Sequence, residues 1–341
     1  MKIKNIIPIL ICTVALTACS QTNEVKVRDN QEYERTVYAM DTVMTLKAYG
    51  KNGEKALDDA ENEIEKLDNA LRRGNNESEI YKVNSEKSAQ VSDETAALVR
   101  EALDICESTD GAFDISIAPV MDLWGFYTKD FYVPNNDELA TELEKVNYKN
   151  IIVEDNTISV SENSQLDLGG IAKGYLSSRI MEIFTQDGVT SGIISLGGNV
   201  QTLGKKIDGS NWKVAIQNPD DETYIGGLAI SDMAVITSGG YQRYFEQDGV
   251  IYHHIINPKT GYPAQNGVKS VSIVSDNGTL ADGLSTALFV MGLDEGIKYW
   301  SEHDGFDVVF VTDDNGIYIT EGIADIFESK YNYSVIKKTA N

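Results

Sequence analysis

The sequence predicts an α+β protein built largely on antiparallel sheet. Two observations carry that reading. Strand-like runs come in clusters with apolar helical periodicity between the clusters, rather than in strict alternation. Turn signals at Asp155-Asn156 and at Asp313-Asp314-Asn315-Gly316 join neighbouring strands closely, as in hairpins.

The 341 residues amount to about two domains' worth of chain, enough to bury a core without disulfides or metal staples. The formal net charge is −24 and no lysine–arginine cluster stands out, which argues against nucleic-acid binding. An anionic ligand must then be held locally, by backbone donors, a few cations or a metal.

In chain order, residues 1–18 read as a targeting signal, with Lys2 and Lys4 ahead of an apolar run too short to span a membrane. Leu16-Thr17-Ala18-Cys19 resembles a bacterial lipobox, so Cys19 is the expected lipidation site, and residues 19–34 read as a polar tether. This places the mature protein outside the cytoplasm, lipid-anchored to the bacterial cell membrane. If Cys12 is removed with the signal and Cys19 is lipidated, Cys106 is left alone on an apolar helical face, hence in the core.

A first strand is expected over Tyr38–Tyr49, then an amphipathic helix through Leu57, Ala60, Ile64, Leu67 and Leu71. A polar loop at 72–77 leads to a short segment ending near Asn84, and a second helix runs over about 93–108. Residues 128–150 read as a surface excursion and 151–160 as a hairpin. Asp167-Leu168-Gly169-Gly170 leads into a helix whose apolar residues recur from Ile171 to Phe184. Strands are expected at 192–196, 212–217, 228–236, 250–256 and 268–275, a helix over about 280–291, and a closing hairpin over 307–320. Residues 331–341 read as a C-terminal tail.

Several short segments could carry chemistry. The Gly169-Gly170 pair before a helix N-terminus lets backbone groups approach an anion, although such turns also serve only to relieve strain. Asp282 and Thr286 lie four apart on an apolar helix, so one face presents both oxygens. A buried carboxylate needs a partner, for which a hard cation such as magnesium is suited; complementing its own helix dipole is the plainer alternative. His253-His254 precedes an Asn-Pro-Lys-Thr-Gly-Tyr-Pro turn, and on a strand only one of the two histidines can face a given site. Ala112-Phe113-Asp114 offers an aromatic plane beside an acid, and Thr237-Ser238-Gly239-Gly240 offers hydroxyls and open backbone. There is no Walker loop, no dinucleotide fingerprint and no Gly-x-Ser-x-Gly elbow.

Taken together, these segments resemble the ApbE family of FAD:protein FMN transferases over about residues 38–325. The ordered motifs are Met40-Asp41-Thr42, Ser78-Glu79-Ile80 through Asn84, Asp110–Pro119 with Leu123-Trp124-Gly125, and Asp167–Tyr175. Leu196–Asn199, Trp212 with Gln217-Asn218-Pro219, Thr237–Tyr241, His254–Pro263 and Ala281–Ala287 complete the series. The resemblance implies a two-lobed, T-fold-related domain over 35–330 with FAD bound between the lobes. It implies magnesium held by Asp282, Thr286 and the main-chain oxygen of Gly170. It implies an FAD site lined by Met40, Ala112, Phe113, Asp114, Asp167, Lys173 and Ile255; His254, whose ordinary pKa suits a base near neutrality, is the expected base, and Asp282 is expected to be catalytic as well. The family transfers FMN from FAD to a Ser or Thr hydroxyl of a partner, releasing AMP. Its partners include flavoprotein subunits of membrane electron-transfer complexes and extracellular reductases. Where the family often has Met-Gly-Thr, this chain carries Asp41, and its 72–77 loop is longer than the family pattern. Two other readings stay open from sequence alone: an FAD pyrophosphatase with water as acceptor, and a non-catalytic flavin-binding or solute-binding lipoprotein.

Overall fold

The amino-terminal hairpin sets the edge of the main sheet. In the computed structural model, which describes residues 30–221 and 223–338, β1 (Glu32–Ala39) pairs antiparallel with β2 (Thr42–Tyr49). Where the sequence predicts one strand over 38–49, Met40 and Asp41 form a two-residue turn with φ of 48° and 58°. Positive φ at both turn residues gives the twist that tight hairpins need. The hairpin reaches back to Glu32, into the expected tether; the signal segment and Cys19 lie outside the described residues.

Helix α1 (Gly53–Leu71) buries Leu57, Ala60, Ile64, Leu67 and Leu71 on one face, as its periodicity predicts. α2 (Glu79–Glu86) and α3 (Asp93–Ser108) are capped by Ser78 and Ser92, whose hydroxyls accept from the Tyr81 and Thr95 N–H groups. β3 (Ser88–Gln90) lies between them, and α4 (Ala118–Leu123) follows the 110–117 loop. The expected excursion contains α5 (Asn136–Leu143), closed by a capping box in which Asn135 and Glu138 satisfy each other's backbone. That Asn-x-x-Glu signal was present in the sequence. β4 (Ile152–Glu154) and β5 (Thr157–Ser159) form the expected hairpin.

Then come α6 (Ala172–Gln186), β6 (Gly192–Leu196), β7 (Asn199–Leu203), β8 (Trp212–Gln217), β9 (Tyr224–Ile230) and β10 (Ala234–Gly239). The run expected as one strand over 228–236 is divided between β9 and β10, with Asp232 at φ 57° in the turn. β11 (Tyr244–Gln247) and β12 (Val250–His253) make a separate ribbon. The chain ends with β13 (Val268–Ser275), α7 (Gly278–Met291), α8 (Leu293–Glu302), β14 (Asp307–Thr312), β15 (Ile317–Thr320), β16 (Phe327–Glu328) and β17 (Ser334–Ile336). β3, β7, β11, β16, α4 and α8 have no counterpart among the expected elements, and β17 turns part of the expected tail into sheet.

The predicted α+β class with largely antiparallel sheet is what the structure has. Nine strands run in the order β1-β2-β6-β7-β10-β13-β14-β15-β17, and of these pairings only β15–β17 is parallel. Both faces of this sheet are covered. Val271, Ile273, Val308 and Phe310 point into the core shared with the helices, while Val274, Val309 and Val311 pack on the small β16-β9-β8 sheet. A third cluster joins Trp124, Phe126, Leu139 and Ile256 to Phe245 and Tyr252 of the ribbon. Among the described residues, no helix is long and apolar enough to cross a membrane.

The crossing of α6 and α7 positions the site. A Cβ on Gly174 would stand 2.2 Å from the Gly278 carbonyl oxygen and 2.4 Å from the Asp282 Cβ. The two helices therefore touch backbone to backbone, which only glycine permits. Gly174→Ala is expected to cost about 3 kcal/mol by forcing the helices apart. Urea unfolding checks this, and an unchanged midpoint would contradict the close crossing.

Candidate active site

The site is assembled at the N-terminus of α6. The N-cap residue of that helix is Ile171, which has no side-chain acceptor. Asp282 of α7 supplies one instead: its Oδ2 accepts from the Gly174 N–H at 2.8 Å, and its Oδ1 accepts from Asn199 Nδ2 at 3.0 Å. Asp282 is 5% exposed. Burial raises its pKa above the ordinary carboxylate value, and Lys173, the Gly174 N–H and Asn199 oppose that rise. The plain alternative, an acid serving its own helix, is thus replaced by an acid of α7 that caps α6. The Gly170 and Lys173 N–H groups find no acceptor among the described residues, as expected at an anion-receptive helix start.

Gly170 sits against Phe113 and Thr286: a Cβ there would lie 3.1 Å from Phe113 Cε2 and 3.6 Å from Thr286 Oγ1. Thr286 Oγ1 is also 3.3 Å from Ser238 Oγ, which bonds Ser285 Oγ at 2.7 Å. The Ser238 hydroxyl is therefore tied to α7, and Thr237 Oγ1 to Ser272 Oγ at 2.7 Å. Of the expected metal set, Thr286 lies beside Gly170, and Asp282 stands four residues earlier on α7 with its oxygens on Gly174 and Asn199. Among the described residues no three His, Cys, Asp or Glu side chains cluster, so a metal here would depend on one carboxylate and neutral oxygens.

The two histidines have separate tasks. His253 Nε2 donates to the Ala264 carbonyl at 3.0 Å and its Nδ1 accepts from the Ile255 N–H at 3.3 Å, so both ring nitrogens are used in structure. His254 Nδ1 lies 3.0 Å from the Arg243 carbonyl. A carbonyl can only accept, so Nδ1 carries the proton and Nε2 holds a lone pair. Burial, with Arg243, His253 and Lys173 adding like charge, pushes His254 down to about 4. The ring is neutral at pH 7.

The other expected residues are packed in the core or bonded within their own loops. Met40 is half-buried in the hairpin turn, its N–H donating to Asp68 Oδ1 at 3.1 Å. Ala112, Phe113 and Ile255 are buried in the main core. Asp114 is used within its own loop: Oδ1 accepts from the Ser116 N–H and hydroxyl at 2.8 and 2.6 Å, and Oδ2 from the Tyr148 N–H at 3.1 Å. Burial raises its pKa despite those bonds. Asp167 Oδ1 accepts from the Gly169 N–H at 2.8 Å, which folds the loop ahead of α6. Asn84 exchanges two hydrogen bonds with Leu166, so the Ser78–Asn84 motif supports that loop from behind. Trp124 Nε1 donates to the Gly261 carbonyl at 2.7 Å, tying the Pro-rich turn after His254 to α4. Cys106 is fully buried, as predicted. Sequence reasoning missed Asn199, although it sits in the quoted Gly197-Gly198-Asn199 segment, and Arg73.

A buried acid capping a helix start and a neutral histidine on an α+β scaffold are groups that a group-transfer enzyme could use. The sequence model of the ApbE family matches residues 40–310, and the chain belongs to that family. It is 31% identical over 320 residues to a protein of Treponema pallidum (strain Nichols) named FAD:protein FMN transferase, covering 86% of this chain and 88% of that one. A Klebsiella pneumoniae (strain 342) protein of the same name is 31% identical over 300 residues, covering 86% and 93%. Among solved structures, the ApbE protein of Thermotoga maritima superposes with a TM-score of 0.82 at 31% identity, covering 87% of this chain and 99% of the other. The flavin transferase ApbE of Vibrio cholerae gives 0.79 at 27% identity, with the same coverage.

The histidine geometry makes a spectroscopic prediction. His254 ring 15N shifts should report the neutral Nδ1–H tautomer at pH 7, with a protonation midpoint near 4. A midpoint at the ordinary histidine value of about 6.5 would contradict the desolvated Nδ1–H ring.

Proposed function

We propose that this protein transfers FMN from FAD to a serine or threonine hydroxyl of an acceptor flavoprotein, with magnesium, releasing AMP. The observation that carries the reading is the buried Asp282 carboxylate that caps the start of α6, with Thr286, also on α7, beside Gly170. Relatives named FAD:protein FMN transferase, aligned over most of both chains, support flavin as the transferred group.

In this reading the acceptor hydroxyl oxygen attacks the FMN-side phosphorus of FAD. The new P–O bond forms as the pyrophosphate bond to AMP breaks, and His254 Nε2 takes the hydroxyl proton. Nε2 suits that role because its partner nitrogen is held protonated by the Arg243 carbonyl. Lys173 and the open N–H groups of Gly170 and Lys173 face the negative charge of the phosphates and of the departing AMP. Phe113, packed against Gly170, offers a ring face, and Met40, Ala112 and Ile255 supply apolar surface. Asp114 and Asp167 hold the loops that bring these groups together.

The residues fit magnesium on chemical grounds. A carboxylate, a hydroxyl and a carbonyl oxygen are hard donors, and a cation beside Asp282 would offset the burial that raises its pKa. When bound, magnesium would neutralise phosphate charge and orient the pyrophosphate. Lipidation at Cys19 would hold the enzyme on the outer face of the cell membrane. Flavoprotein subunits of membrane electron-transfer complexes, or extracellular reductases, would be within reach there.

Two variants separate the roles. Asp282→Ala should lower acceptor-dependent AMP release by about 100-fold or more. His254→Ala should lower kcat by about 100-fold while FAD affinity, read by flavin fluorescence, stays within about twofold. Full turnover in the first variant would remove the metal assignment, and an unchanged rate in the second would move the base elsewhere.

A further inference from the structure

Arg73 lies in the 72–77 loop, outside every motif that carried the family resemblance, yet its side chain is only 8% exposed. Its guanidinium joins three segments far apart in sequence. Nη1 and Nη2 donate to Asp122 Oδ2 and Oδ1 of α4 at 3.1 and 2.8 Å, a fork-on-carboxylate pair. Nε stands 3.2 Å from Asp167 Oδ2. The guanidinium carbon lies 4.3 Å from the centre of the Tyr127 ring, which covers it. Burial works against the charged form, but the Asp167 and Asp122 carboxylates outweigh it and keep the pKa above the ordinary arginine value.

The neighbouring residue reinforces the arrangement. A Cβ on Gly74 would stand 2.2 Å from the Tyr127 hydroxyl oxygen, so a side chain at 74 would push the Tyr127 ring from its place over Arg73. Asp167 is thus gripped from both sides, with Oδ1 on the Gly169 N–H and Oδ2 on Arg73. Gly170, the next residue, packs on Phe113 and Thr286. A rotation of the Asp167 carboxylate would pull Gly169 and shift that contact.

We propose that Arg73 is a positioning residue for flavin nucleotide binding: bridging Asp122 and Asp167 beneath Tyr127, it fixes the loop that opens α6. The inference rests on the reading of FAD as substrate. A lysine cannot take its place, because one ammonium cannot present a fork to Asp122 and a third donor to Asp167. Among the described residues, the Asp122 carboxylate bonds Arg73 and none of the proposed site residues, so its loss should act by the same route.

The test uses the full-length protein with FAD, magnesium and an acceptor flavoprotein. Arg73→Lys and Asp122→Asn should each raise the KM and Kd for FAD about tenfold, with kcat changed by less than about threefold. The double variant should be no worse than the poorer single one, because both break the same bridge. FAD affinity is read by fluorescence and needs no turnover, so it is measured even if no acceptor is modified. Acceptor modification failing in wild type while FAD still binds would count against the proposed function and leave this inference to be judged on Kd alone. Unchanged FAD affinity in both folded variants would overturn it, as would additive losses in the double variant. A loss of kcat with unchanged KM would also overturn it, by placing Arg73 in the transfer step.

Discussion

The hydrogen bond from the Gly174 N–H to Asp282 is the contact on which the site depends. It exists because α6 begins at an isoleucine that cannot cap its own helix, and because Gly174 and Gly278 let α7 come close enough for its acid to do so. Asn199, at the start of β7, fixes the second oxygen, so the sheet and both helices orient one carboxylate. The same crossing places Thr286 beside Gly170 and leaves the Lys173 N–H open. Helix packing, capping and ligand chemistry therefore meet at one side chain.

Charge is handled locally in a chain that is acidic throughout. The net charge of −24 would repel a nucleotide pyrophosphate at long range. The candidate site offers a helix N-terminus and Lys173, while desolvation, aided by the charge of Arg243, keeps His254 unprotonated. Asp114 and Asp167 stay inside this region because their oxygens are taken up by backbone N–H groups and, for Asp167, by Arg73.

Much of the fold was legible because its signals are local. The periodicity of α1 and α3, the turn at Asp155-Asn156 and the buried run of β13 are properties of single segments. α5 carried a capping box but only one fully buried residue, Leu139, so its apolar pattern was too thin to show. The split between β9 and β10 depends on a positive φ at Asp232, which composition does not reveal. In the site, the Asp282–Thr286 spacing and the limit of one site-facing histidine were readable, but which histidine was free depended on acceptors at Arg243 and Ala264. Asp282 as a cap for α6, Asn199 as its second partner and Arg73 as a bridge are contacts between distant segments. No spacing rule encodes them.

The most direct measurement is intact-protein mass spectrometry of a candidate acceptor flavoprotein after incubation with this protein, FAD and magnesium, with the modified residue then mapped. The account predicts an added mass equal to one FMN phosphoester on a serine or threonine, AMP formed in equal amount, and neither product when Asp282 is replaced by Asn. AMP released at full rate with the acceptor unmodified would contradict it, since water would then be the acceptor.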